Sequence, residues 1–356
     1  MQATNNLVSI LIPNYNKAYY LRGTLDSILA QTYINWEGVI VDDHSTDGSW
    51  QILEEYTKID SRFKIYKRPN HLAKGGNQCR NYAYTNSSGK FVVFFDSDDL
   101  LYPNALYQRL NSISNSDYDF CVSNGVLWNG KDVNGRLILS RAHGDVMNAF
   151  INFEPLWLTQ GVIIRRDFIE KNTITWDERV PFYQDVLYNL KLVMLSKNYE
   201  ISSEVDWIWY VSSENGLGIK TKSVNSYSDN YNFISSFFDC IMKMENSHRQ
   251  LKHFCFSRVH FLIKANRKKM KLKPIEAYLD FLDKNSISLN YIDRFEIMII
   301  KIALFSFENN LRIGKSIYFR YINSSLNRMK NEIPFNHFLS TEIPVISSNL
   351  FRVNND

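Results

Sequence analysis

Asp96-Ser97-Asp98-Asp99 follows the apolar run FVVFF directly, and this placement of carboxylates is the first sign of chemistry in the chain. Carboxylates packed that closely repel one another unless a cation joins them. Mg2+ and Mn2+ take oxygen ligands, and commonly use one or two carboxylates together with substrate phosphates. Such a cation would neutralise a diphosphate leaving group as its bond breaks, a Lewis-acid role. The bland alternative is a solvated turn whose aspartates cap the helix that starts near Pro103. Context has to decide between the two.

That context comes from the elements that hold the tetrad. Residues 7–12 form an apolar run ended by Pro13 and Asn14, which reads as a buried strand entering a turn. Leu21, Leu25, Ile28 and Leu29 recur at helical spacing. Residues 39–41 read as a second strand, followed by DDHSTDG and a helix starting near Ser49, with Ile52, Leu53 and Tyr56 on one face. Residues 63–66 and 91–95 supply a third and a fourth strand. Continuous apolar strands separated by helices imply a parallel sheet covered on both faces.

In an open α/β sheet, ligands bind outside the carboxyl ends of the strands. One edge therefore collects Asn14, Tyr15, Asp42, Asp43, Asp96, Asp98 and Asp99. Tyr15 offers a flat face for a base, and Asn14 and Asn16 offer hydrogen-bonding groups. Asp42 and Asp43 could accept from a uracil imide N–H or from ribose hydroxyls, or could organise an Asx-turn and helix cap.

The 356-residue length favours two domains, and 45% hydrophobic with 22% charged residues is ordinary for a globular chain. A net charge of +4 does not argue for nucleic acid as a partner. Cys79, Cys121, Cys240 and Cys255 lack CxxC spacing, which argues against a zinc site or a disulfide framework. The N-terminus lacks a basic leader, and no apolar run is long enough to span a bilayer. These features predict a cytoplasmic protein, working at the inner face of the membrane if its acceptor is lipid-linked. From about residue 226 the pattern becomes helical, as in residues 231–244 and 291–307. Residues 249–273 contain basic residues but no acid, which suits an anionic membrane surface or a solvated helix face. The expected division is 1–225 for the α/β domain and 226–356 for a helical C-terminal region making acceptor, membrane-surface or oligomer contacts.

The segments VSILIPNYNKAYYLRGTLDSILAQTY, VIVDDHSTDGSW, GGNQCRNYAYTNSSGKFVVFFDSDDLLYP and FYQDVLYNLKL resemble, in order and spacing, the inverting family 2 glycosyltransferases of the GT-A fold. The resemblance covers roughly residues 6–215. It implies an α/β, Rossmann-like, mostly parallel sheet flanked by helices, and transfer from a nucleotide-sugar, with UDP the expected nucleotide. It implies that Pro13, Asn14 and Tyr15 border the base, that Asp43 contacts it beside Asp42, and that Arg80 lies near the donor. Asp96, Ser97 and Asp98 fall in the DxD region that meets ribose and metal, and Asp98 and Asp99 are the implied ligands of Mn2+ or Mg2+. Asp185 matches the base that deprotonates an acceptor hydroxyl on a glycan or lipid-linked sugar in surface polysaccharide synthesis. A homo-oligomer is a further partner expectation.

The chain departs from the family pattern at two places. Gln184 stands where the family usually has a glutamate before the base. Residues 207–215 carry neither the Arg nor the His that often reaches the diphosphate, leaving Lys220 or Lys222 as substitutes. Asp185 could also be a plain cap for the helix that follows. Trp157, Trp176, Trp207 and Trp209 could stack on an acceptor sugar, although core packing is the commoner fate of a tryptophan. Two rival readings remain: a Mg-dependent phosphoryl or nucleotidyl transferase using the tetrad, and a non-catalytic sugar-binding subunit, for which Gln184 is the only hint.

Overall fold

The computed structural model describes residues 6–128, 137–138, 146–151, 156–210 and 227–243, with isolated positions between 277 and 302. Strand and helix alternate as the apolar periodicity demands: β1 (Val8–Asn14), α1 (Ala18–Leu29), β2 (Trp36–Asp42), α2 (Ser49–Ile59), β3 (Phe63–Lys67), α3 (Gly76–Thr85) and β4 (Phe91–Phe94). Then come β5 (Leu100–Leu101), α4 (Ala105–Ser114), β6 (Phe120–Trp128), β7 (Leu137–Ile138), α5 (Val146–Ile151), a 3-10 turn (Thr159–Gly161) and β8 (Val162–Arg165). The last described elements are α6 (Arg166–Lys171), α7 (Gln184–Leu195), β9 (Tyr199–Tyr210) and α8 (Tyr227–Ile241).

The strands form one sheet in the order β3-β2-β1-β4-β8-β6-β9-β5, with β7 beside β6. From β3 to β4 every pairing is parallel. Every residue of β2 and β4 is buried, and so is all of β1 except Pro13. Strands buried on both faces need no polar alternation, which is why they read as apolar runs. The expected parallel sheet is therefore the first half of the molecule. Beyond β4 the sheet becomes mixed: β8 runs antiparallel to β4 and β6, β9 runs parallel to β6, and β5 pairs antiparallel with β9.

Alternation along β1 splits the core. Val8, Ile10 and Ile12 pack with Leu21, Leu25 and Ile28 of α1 and with Leu53 of α2. Leu11 faces the opposite layer, with Cys79 and Ala83 of α3 and Val186, Leu187 and Leu190 of α7. Each valine, leucine or isoleucine among them contributes roughly 1.5–3 kcal/mol on burial. Gly125 leaves room for the Trp207 indole where β6 pairs with β9, since a Cβ there would lie 2.3 Å from it. Arg109 of α4 grips Asp206 of β9 with two hydrogen bonds of 2.7 Å, and both side chains are wholly buried.

The helix α8 falls within the region expected to be helical. Residues 249–273 and most of residues 291–307 lie outside the described residues, as do Lys220 and Lys222. No helix among the described residues is long and apolar enough to cross a membrane.

Candidate active site

Register creates the site edge. Asn14, the last residue of β1, pairs with Asp42, the last residue of β2. Asn14 Nδ2 donates to Asp42 Oδ1 at 2.8 Å, and Ser45 Oγ donates to the same oxygen at 2.6 Å. Asp42 Oδ2 accepts from the Ser45 backbone N–H at 2.8 Å. The two loops are laced further by Asn16, whose N–H donates to Ser45 Oγ at 2.9 Å and whose Oδ1 accepts from Thr46 N–H at 2.8 Å. Asp47 then accepts from the Ala18 N–H at 2.9 Å, satisfying the first turn of α1 from another loop. In this arrangement Asp42 organises an Asx-type turn, and its carboxylate is already engaged by protein groups.

Asp43 is also engaged. Arg68, which follows β3, donates Nε to Asp43 Oδ1 at 2.5 Å, and the Gly75 N–H donates to Oδ2 at 3.0 Å. Arg68 is itself held by the Leu72 and Pro69 carbonyls. Asp43 thus fixes the entrance to α3, where Gly75 has φ +150° and a Cβ would meet Gln78 Oε1 at 2.8 Å. Tyr15 stands 42% exposed at this edge, and Lys74 Nζ lies 3.7 Å over its ring. Pro13, the residue before the end of β1, pairs with Val41 of β2.

The acidic tetrad lies beyond the end of β4, and its three carboxylates differ. Asp96 accepts from Arg80 at 2.7 Å through Oδ1 and from Gln160 Nε2 at 2.7 Å through Oδ2. Ser97 is buried. Asp98 is half-buried and bonded to Lys17 Nζ at 2.5 Å. Burial pushes the Asp98 carboxyl up, and neighbouring Asp96 adds to this against the pull of Lys17. Burial opposes the charge on Lys17, yet Asp98 and Asp96 outweigh it and hold the ammonium pKa above its ordinary value. Asp99 is fully enclosed: Oδ1 accepts from the Tyr210 N–H at 3.2 Å, while Oδ2 is buried with no hydrogen-bond partner. Burial raises its pKa well above the usual carboxylate range, and Asp98 and Asp96 push the same way.

Among the described residues no group of three or more His, Cys, Asp or Glu side chains could hold a metal ion alone. The smaller demand, two carboxylates plus diphosphate oxygens, fits Asp98 and the unpartnered oxygen of Asp99.

Asp185 occupies the first turn of α7. The residue before that helix is Tyr183, which has φ 51°, an uncommon value for a bulky side chain, and makes no side-chain cap. Asp185 is therefore inside the helix rather than at its cap position. Burial raises its pKa, Asp96 raises it further, and Arg80 and the helix N–H of Val186 restrain it. Arg80 links the two halves of the site. Its second nitrogen donates to Gln184 Oε1 at 3.0 Å, and its guanidinium lies 4.5 Å over the Trp176 ring. Gln184 Nε2 donates to the Pro181 carbonyl at 3.2 Å. A chain of contacts thus runs Gln160–Asp96–Arg80–Gln184 and ends beside Asp185.

A model of the family described as "Glycosyl transferase family 2" matches residues 9–175. These residues hold all of the strand-end loops above. This segment, a little under half of the chain, is similar to glycosyl transferase family 2. Among its relatives, the Escherichia coli UDP-Glc:alpha-D-GlcNAc-diphosphoundecaprenol beta-1,3-glucosyltransferase WfgD is 34% identical over 37% of this chain and 51% of its own length. The match therefore spans about half of that relative. The Staphylococcus aureus poly(ribitol-phosphate) beta-N-acetylglucosaminyltransferase TarP is 27% identical over 81% of this chain and 89% of its own length. The fold is similar to that of S. aureus TarS in complex with UDP, with TM-score 0.62, 20% identity, and coverage of 90% of this chain and 91% of the other. The α/β, GT-A-like architecture of the chain is thereby established.

Lys17, Arg68 and Gln160 take part in the site but carry no motif of their own. Lys17 directly follows PNYN and Arg68 directly follows β3, so strand-end position was the available signal for both. Gln160 lies in the 3-10 turn, 64 residues from Asp96 in sequence, and nothing local marks it.

Proposed function

We propose that this protein transfers a sugar, with inversion, from a UDP-sugar to a hydroxyl of a glycan or lipid-linked acceptor in bacterial surface-polysaccharide synthesis. The observation that carries the reading is Asp185 in the first turn of α7, tied through Gln184 and Arg80 to the acidic tetrad. Asp185 takes the proton from the acceptor hydroxyl. The freed oxygen attacks the anomeric carbon as the bond to the diphosphate breaks on the opposite side, so configuration inverts. Tyr15 and the laced loops of β1 and β2 form the floor for the nucleotide, with Pro13 and Asn14 at its edge. Asp43 presents its carboxylate in one orientation fixed by Arg68 and Gly75. Asp98 and Asp99 would hold Mg2+ or Mn2+, which when bound supplies charge neutralisation of the diphosphate.

The named activities of WfgD and TarP, and the UDP held by TarS, support a UDP-sugar donor and a cell-surface acceptor here. Gln184 does not favour a non-catalytic subunit, because its amide oxygen accepts from Arg80 as a carboxylate oxygen would. The deciding experiment measures UDP release from a panel of UDP-sugars, with Mn2+ and with a chelator. Metal-dependent release that Asp185→Asn abolishes, with UDP affinity retained, is the expected result. Tight UDP binding with no turnover on any donor would sink the enzymatic reading.

A further inference from the structure

Trp157, Trp176 and Trp207 are core residues, between 1% and 3% exposed, and offer no face to a sugar. The groups that join the two ends of the site are polar. Displacement with inversion puts the transferred sugar between the base and the departing diphosphate. In this chain that span runs from Asp185 to Asp98 and Asp99. Asp96 lies along it, two residues before Asp98 and joined by Arg80 to Gln184, the neighbour of Asp185. Its side chain is 35% exposed although both oxygens are bonded, Oδ1 to Arg80 and Oδ2 to Gln160. Gln160 is 8% exposed and comes from the 3-10 turn before β8, beyond the parallel half of the sheet. Gly161 sets that turn against β6, since a Cβ there would lie 2.4 Å from the Ser123 carbonyl oxygen. The Gln160 amide is therefore placed by a packed turn. Its Nε2 is engaged by Asp96. Its Oε1, on the same carbon, stays beside that carboxylate and accepts no hydrogen bond among the described residues.

We propose that Gln160 is a specificity-determining residue for the transferred sugar: Nε2 fixes Asp96, while Oε1 and that carboxylate accept hydrogen bonds from a neutral hexose or N-acetylhexosamine. Resting on the glycosyltransferase reading above, this assignment names the class of donor sugar. An amide oxygen and a carboxylate side by side form a face of acceptors, which sugar hydroxyls or an acetamido N–H satisfy. A uronate carboxylate suits that face badly. Arg80 is already paired with Asp96, so the added charge meets acceptors and a like charge. A site that hydrogen-bonds one substrate group rejects the analogue lacking it, because its own polar atoms are then left unpaired. A residue that merely braced the fold around Asp96 would affect UDP alone as much as the UDP-sugar.

The test measures binding to the full chain, with Mn2+, of UDP, UDP-glucose, UDP-galactose, UDP-GlcNAc, UDP-GalNAc and UDP-glucuronate, in wild type and Gln160→Met. Methionine keeps the length and apolar stem of the side chain but neither amide group. At least one neutral UDP-sugar binds wild type more tightly than UDP-glucuronate does. Gln160→Met weakens that UDP-sugar about fivefold or more and leaves UDP unchanged, which also shows that the variant is folded. Monodeoxy analogues of the same donor locate the contact: one of them loses affinity in wild type and loses less in Gln160→Met. Parallel loss of UDP and UDP-sugar, or loss of neither, overturns the proposal. So do deoxy losses that are equal in the two proteins, or UDP-glucuronate binding more tightly than every neutral donor. A wild-type chain that binds neither UDP nor any UDP-sugar removes the underlying functional reading instead.

Discussion

Asp185, the proposed general base, has its proton affinity set by its neighbours. Burial and the nearby Asp96 raise its pKa, and Arg80 restrains the rise. A carboxylate that must be ionised to act loses activity as pH falls through its pKa, so the acid limb of kcat is expected above the pH at which an unperturbed aspartate titrates. Arg80→Met removes the restraining charge and shifts that limb to higher pH. Arg80→Lys keeps the charge but cannot span Asp96 and Gln184 together, so it lowers kcat with less displacement of the limb. A pH–rate profile of the three proteins tests this, and coincident limbs would sink the electrostatic role of Arg80. Asp185→Asn is expected to cut transfer on the order of a hundredfold or more with UDP affinity unchanged. At this scale the sequence was informative about residue types but not about their engagements. Asp42, Asp43 and Asp96 were legible as acids at strand ends. That Ser45, Arg68 and Gln160 already bind them depends on loop geometry and long-range contacts, which leave no local pattern.

The elements that hold these residues depend on a few buried polar joints. Arg109 and Asp206 pin α4 to β9, the strand whose last residue donates to Asp99. Removing one member of a buried ion pair strands the other charge and costs about 3–5 kcal/mol. Asp206→Ala is therefore expected to lower unfolding free energy by roughly that amount in a denaturant titration. The double variant Arg109→Met with Asp206→Leu recovers much of the loss, because no charge remains buried. A second joint is Gly75, whose φ of +150° lies in the region that favours glycine. Gly75→Ala should destabilise by about 1–3 kcal/mol, and should weaken UDP binding if the Gly75 N–H is what orients Asp43. The parallel half of the sheet could be read from its apolar runs. The half beyond β4 could not, because β9 mixes polar and apolar residues and pairs with β6 through shifts of register. Its closeness to β6 depends on Gly125 beneath Trp207, a match between residues 82 positions apart that no window of sequence contains.

For the molecule as a whole, carboxylates of opposite behaviour set the dependence of stability on pH. In Glu37, burial opposes ionisation, but Lys64, the Ser88 N–H and the Ser9 hydroxyl outweigh it and lower the pKa. In Asp177, hydrogen bonds from Arg179 similarly overcome burial and take the value to about 2. Groups depressed in the fold contribute stability above the unfolded carboxylate value of about 4, and lose it as pH falls through their folded values. Asp98, Asp99 and Asp185 are raised, so the sign reverses. In the window above about 4 the folded state holds more protons than the unfolded chain, and stability declines as pH rises through that window. The profile should therefore climb from about pH 2 to 4 and fall again toward neutrality as the site carboxylates ionise. Asp99→Asn removes the most enclosed of these charges while keeping an acceptor for the Tyr210 N–H. Thermal denaturation between about pH 3 and 8 should show a higher midpoint at neutral pH in that variant and a flatter descent, with weaker metal-dependent UDP binding. Superimposable curves for variant and wild type would mean that Asp99 ionises without penalty. Stability at neutral pH would then be limited by something other than the packed carboxylates on which the proposed site depends.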